Sequence, residues 1–189
     1  MNKIPALFCG LLMALPVTLR AQQQLYKIDK VTPAIIQTPI FQYQGDQRQN
    51  PYQIGKWLEI EVQFESAAEY TDEITVRYFV MINKAVLSGE VTHVNVAKGR
   101  ELYSVIYVPP QTMLRLLVGR PVTINSVDGV GVQLVVKGQI VYEMNNRPDF
   151  AAQWWQSLQQ TPGLMLNKNE TPFAPLYWDR YQQIKPSEH

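Results

Sequence analysis

The chain has 189 residues, 46% hydrophobic and 17% charged, enough apolar content for one packed domain and too much for wholesale disorder. Its net charge is +1 with no run of Lys or Arg, which excludes a nucleic-acid binder built on a concentrated basic face. The single cysteine, Cys9, rules out an internal disulfide and leaves stability to packing.

The N-terminus reads as a secretory signal. Lys3 precedes a mostly apolar run over 4–15, Pro16 follows, and Leu19-Arg20-Ala21 offers a small residue before Gln22. The run is shorter than the ~20 residues of a spanning helix, so cleavage is expected over anchoring, with no membrane span afterwards. Cys9 lies inside the run, and the bulky Phe8 before it argues against lipidation. Removal of 1–21 takes away Lys3 and Arg20 and no acid, leaving a net charge of −1. The mature chain is then an exported protein, placed in the periplasm, at the outer membrane or on the cell surface.

Gln22-Gln23-Gln24 reads as a frayed lead-in. Residues 26–36 form a first strand, placed at a sheet edge by Pro33, which lacks a backbone donor. Residues 37–56 form a long connection with Ile40, Phe41 and Tyr43 as anchor points. In the next segment Leu58, Ile60, Val62 and Phe64 alternate with Glu59, Glu61 and Gln63, giving a strand with one apolar and one acidic face. A turn is expected over 67–72. The strand over 73–83 follows, with Ile74, Val76, Tyr78, Val80 and Ile82 on one face and Phe79 and Met81 on the other.

Residues 85–97 read as a strand broken near Ser88-Gly89, with His93 pointing outward. After a turn at Lys98-Gly99, the strand over 101–108 sets Leu102, Ile106 and Val108 opposite Tyr103, Val105 and Tyr107. Residues 111–118 fit a short helix, 121–125 a brief strand, and Asp128-Gly129 a tight turn. Val130, Val132, Leu134 and Val136 alternate, and Lys137-Gly138 makes a hairpin into 139–145. About seven strands with frequent turn signals predict an immunoglobulin-like antiparallel β-sandwich over 22–145.

Residues 146–189 form a C-terminal helix and an extended tail. Phe150, Trp154 and Leu158 recur every fourth residue, predicting a helix to about Gln160, which Thr161-Pro162-Gly163 ends. Thr171-Pro172-Phe173-Ala174-Pro175-Leu176-Tyr177-Trp178-Asp179-Arg180-Tyr181 is too apolar to wave in solvent. One large aromatic buries roughly 200 Å², on the order of 5 kcal/mol as an upper figure. Phe79, Met81, Tyr103, Val105 and Tyr107 leave apolar ground on outward strand faces, and the tail is expected to cover it as a third layer.

The sequence holds no catalytic signature, metal motif or cofactor loop: neither Gly-x-Ser-x-Gly, nor His-Glu-x-x-His, nor a phosphate-binding glycine pattern is present. His93 and the terminal His189 are the two histidines. Glu59 and Glu61 share a strand face and are expected to pair with Arg77 rather than to form a glycosidase pair. Asp72-Glu73 reads as solvated, and Asn125 and Asp128 supply too few ligands for calcium. The chain is read as non-enzymatic. Trp155, Tyr177, Trp178 and Tyr181 are the candidate interaction surface. Trp155, off the helical stripe, is expected to be the most exposed, and packing on the sandwich is weighed against a platform for sugar rings.

The apolar leader, Val31-Thr32-Pro33, Trp57-Leu58-Glu59-Ile60-Glu61-Val62 and the closing 171–181 run together resemble the pilus-associated, pilus-like immunoglobulin-fold exported proteins of verrucomicrobial bacteria. The resemblance implies a partner among type IV pilus or secretion components, in assembly or adhesion, and no enzymatic role. The chain departs from a fibre subunit in lacking a prepilin signal, so an accessory component is implied. A carbohydrate-binding or adhesin module, with a glycan partner, is the alternative.

Overall fold

Leu58, Ile60, Val62 and Phe64 are fully buried, as are Ile74, Val76, Tyr78, Val80 and Ile82, so both alternating runs put their apolar faces inside. In the computed structural model, which describes residues 25–41 and 54–186, these runs belong to one strand. The strands are β1 (Tyr26–Gln37), β2 (Lys56–Ile82), β3 (Ala85–Val108), β4 (Val127–Val136), β5 (Gln139–Asn145), β6 (Gln160–Pro162) and β7 (Leu166–Asn167), with helix α1 (Pro110–Leu117) between β3 and β4. The expected signal segment, Cys9, the Gln22–Gln24 lead-in, Tyr43 and His189 lie outside the described residues.

The fold is mainly β, as the alternation predicts, but its two layers are one sheet folded over. β2 and β3 form a single long hairpin, closed by Asn83 and Lys84, both at positive φ. Its open half pairs with β1 and its closed half with β4, which carries β5 at the edge. The crease lies where two turns were expected. Opposite Lys98, β2 carries the extra residues of a bulge: Ser66 pairs with Gly99 and Tyr70 with Ala97. A bulge raises local twist and bends the strand. The turn-like composition at 67–72 and 98–99 thus bends a continuous ribbon instead of ending it.

Folding over brings the inner faces into one core. The Tyr78 hydroxyl reaches across the layers to donate to Ser104 at 2.7 Å, and Tyr26 meets Thr71 at 3.0 Å. The break expected at Ser88-Gly89 is absent. Gly89 is needed for close approach, since a Cβ there would stand 2.8 Å from Ile106 and 2.9 Å from Met165. α1 forms where predicted, with Pro110 in its first turn and Met113 and Leu117 buried against the core. Residues 121–125 are irregular apart from a 3₁₀ turn at Ile124–Ser126, and Asp128-Gly129 sits inside β4 rather than in a turn. The Lys137-Gly138 hairpin is present, both residues at positive φ.

The tail spends much of its length on the outer edge of β3. β6 pairs parallel to Val86–Ser88 and β7 antiparallel to Ile106–Tyr107. Further along, Gln182 donates to Tyr103, Val94 to Gln183 and Lys185 to Thr92 through backbone groups. An uncovered edge of this length would template pairing with other chains. β1, with Pro33 and a bulge between Ile28 and Lys30, is blunted in its own sequence.

Candidate functional site

Both outward apolar patches are covered by the tail, each by a different part. Over Phe79, Met81 and Val86 lie Phe150, Trp154 and Trp155. The helix expected here is replaced by a 3₁₀ turn, Trp154–Ser157. Trp155, read as the residue most exposed, is instead 1% exposed. Its ring stacks on Phe79 at 5.0 Å with 5° between planes, directly over Gly131, where a Cβ would stand 2.2 Å from it. Trp154 meets Trp155 edge-on at 5.5 Å. The missing side chain at Gly131 makes the slot for Trp155. An α-helix with a single apolar stripe would instead have turned Leu158 inward, and Leu158 is exposed.

The second patch lies on the opposite outer face. Trp57, Val105 and Tyr107 are buried there under Phe173, with Ile36, Leu166, Leu176 and Tyr181 around them. Phe173 stacks on Tyr107 at 4.7 Å and meets Trp57 edge-on at 5.5 Å. A 3₁₀ turn at Lys168–Glu170, capped by Asn167 and Glu170, aims the chain over this face. Buried Lys168 pins it by donating to the Ala174 carbonyl at 2.6 Å, and burial holds its pKa below the usual lysine range.

Here the acidic face of β2 meets the tail. Arg180 grips Glu61 with two hydrogen bonds of 2.8 and 2.7 Å while its guanidinium lies 4.0 Å over the Tyr103 ring. The Tyr181 hydroxyl donates to the same carboxylate at 2.9 Å. The expected partner, Arg77, sits in the other half of the folded strand and pairs with Glu90 at 3.4 Å. Burial pushes the Glu61 carboxyl up, but Arg180 and Tyr181 together hold it below the usual range. Glu59, one pleat away, is raised by burial, against a hydrogen bond with Tyr107 that lowers it. The two carboxyls are thus driven apart by their neighbours.

Glu59 and Glu61 form the floor of an open groove of about 490 Å³, between Ile36, Gln37 and Pro39 on one side and Phe173, Leu176, Tyr177 and Tyr181 on the other. Of the four candidate surface residues, Tyr177 and Tyr181 line this groove, Trp178 follows Tyr177 in the chain without lining it, and Trp155 is on the far face. Tyr177 is 62% and Trp178 80% exposed. Tyr177 has φ 51°, a left-handed conformation that costs a non-glycine residue about 1 kcal/mol. Glu59 and Glu61 were legible as a pair on one strand face with Arg77 as the expected partner, and Arg180 is the site residue that composition missed. The aromatic spacing of the run pointed to the place but not to its charges.

His93, expected to be exposed, is fully buried at the crease. Its Nδ1 lies 3.0 Å from the Gln182 carbonyl, which can only accept, so Nδ1 carries the proton. Nε2 then accepts from Ser104 at 2.7 Å, and Ser104 accepts from Tyr78. Burial lowers the His93 pKa to about 4, against backbone hydrogen bonds that raise it. Ser104 and His93 resemble a nucleophile and base, yet both are sealed in the core, so the pair locks the tail to the crease. Among the described residues, no group of three or more His, Cys, Asp or Glu could hold a metal ion, and no helix is long and apolar enough to cross a membrane.

Comparison with known proteins agrees with this architecture. A protein-family model matches residues 18–188. A crystal structure of a protein from Akkermansia muciniphila, a verrucomicrobial bacterium, superposes with a TM-score of 0.72 at 25% identity, covering 86% of this chain and 94% of that one. A search of curated proteins gives no match.

Proposed function

From the premise that this chain belongs to the family whose model spans residues 18–188, we propose that it is a non-enzymatic exported protein that works by binding other proteins, as an accessory of type IV pilus assembly or adhesion. The observation that carries this reading is the aromatic tip of the tail. Tyr177 and Trp178 stay largely exposed although Phe173, a few residues before them, is packed down, and a strained backbone holds Tyr177 at the groove. Exposed aromatics around a partly desolvated centre are the usual energetic anchors of protein interfaces. The sealed state of the Ser104–His93 pair supports a role without turnover.

The test is affinity capture of pilus and secretion proteins from envelope extracts, identified by mass spectrometry, with wild-type protein and Trp178→Ala. Recovery of pilus components by the wild type and their loss with the variant supports the reading. Saturable binding of an oligosaccharide that Trp178→Ala abolishes, with no pilus protein recovered, replaces it by the glycan-binding one.

A further inference from the structure

The groove between β1 and the tail has an unusual division of labour on its floor. Of its two carboxylates, Glu61 is fully engaged: Arg180 holds both of its oxygens and Tyr181 adds a third bond. Glu59 forms no ion pair among the described residues. Among the described residues the Tyr107 hydroxyl is the neighbour that most favours its charged form, and a carboxylate has about four lone-pair sites. A half-buried anion with spare acceptor capacity, next to a cation already committed elsewhere, is a binding site for positive charge. The walls fit the rest of such a group. Phe173, Tyr177 and Tyr181 present aromatic surface, and Ile36 and Pro39 aliphatic surface, within the same groove.

We propose that this groove takes an arginine or lysine side chain from a partner protein, its charged head on Glu59 and its aliphatic stem between Tyr177 and the end of β1. This rests on the protein-binding reading above and names the chemistry of the partner. An apolar stem with a cationic head suits a slot with greasy walls and an anionic floor. A sugar ring fits it less well, because its hydroxyls need donors as well as acceptors. The floor's donors, the Arg180 guanidinium and the Tyr181 hydroxyl, are turned onto Glu61. The exposed Trp178, next to Tyr177 in the chain, gives the surrounding partner backbone a flat surface to cover.

The test is titration of the full chain with the blocked tripeptide acetyl-Gly-Arg-Gly-amide, followed by the NMR shifts of the Tyr181 ring in the groove, against the same peptide with citrulline, which keeps the shape and loses the charge. The expected result is saturable binding of the arginine peptide and at least about tenfold weaker binding of the citrulline peptide, the ratio for one charged hydrogen bond. Glu59→Gln is expected to weaken the arginine peptide by a similar factor, and Tyr177→Gly, which also relieves the positive φ, by severalfold. Equal affinity for the two peptides, or an arginine affinity unchanged in both variants, overturns the proposal. The outcome separates from the functional reading. Pilus proteins captured through Trp178 with no preference for arginine would sink the cation site alone. Arginine binding through Glu59 with no pilus protein captured would sink the pilus role alone.

Discussion

On one face of the sandwich the tail lays Trp155 flat on Phe79 over Gly131, and both rings are sealed. On the other it lays Phe173 on Tyr107, and Glu59 and Tyr177 line a groove toward the end of β1, with Trp178 exposed next in the chain. The strands pose the same problem on both faces, since aromatic and aliphatic residues point away from the core. The first cover is dry and shape-matched, with the indole N–H groups of Trp154 and Trp155 meeting no acceptor among the described residues, a cost accepted for burial. The second is tied down by charge through Arg180 and Glu61, buries Phe173 and leaves Tyr177 and Trp178 exposed. Covering a face and presenting one are separable tasks, and this tail divides them between its two halves.

Removing the whole tail breaks the comparison most severely. Deletion of residues 147–189 bares both patches and the β3 edge, so a loss of cooperative thermal unfolding and strong binding of a hydrophobic dye are expected. A variant that melts like the full chain and ignores the dye would mean that neither cover matters.

Acid sharpens the comparison at the crease, where the tail meets His93. The histidine pKa is about 4 folded against about 6.5 unfolded, so the unfolded chain binds more protons between these values. Stability is therefore full above about pH 6.5 and falls as the pH drops toward 4, by about 3 kcal/mol for this residue. Denaturant unfolding from pH 7 to pH 4 should show that decline, and His93→Gln should flatten it.

A smaller effect is expected at the charged clamp. Arg180 has 42% of its side chain exposed, so solvent screens the pair. Arg180→Ala should cost only about 1 kcal/mol in denaturant unfolding, while freeing Glu61 and returning its carboxyl toward the ordinary range, visible by NMR titration.

Much of this architecture could be read in advance, for reasons tied to particular residues. Leu58 to Phe64 and Ile74 to Ile82 alternate because each lines one side of a pleated strand, and that pattern is local. Pro110 and Lys137-Gly138 mark a helix start and a hairpin through their own backbone preferences. The errors arose where the outcome depends on residues distant in sequence. Ala67 to Asp72 has the composition of a turn, and only its pairing opposite Lys98 makes it a bend. Trp155 looked exposed because its burial depends on the empty Cβ position of Gly131. His93 and Glu61 find their partners in Gln182 and Arg180, more than 80 residues away. Tyr177 and Tyr181 were legible as part of a candidate surface, but placing the Glu59 carboxylate beside them needed the fold.

The claim that one half of the tail seals while the other presents is tested most directly by comparing two tryptophans in one denaturant-unfolding measurement. Trp155→Ala should lose about 3 kcal/mol, the lower end of the range for a buried aromatic given its unsatisfied indole, and Trp178→Ala should stay within about 0.5 kcal/mol of wild type. Equal losses at the two positions, or a larger loss at Trp178, would contradict the account.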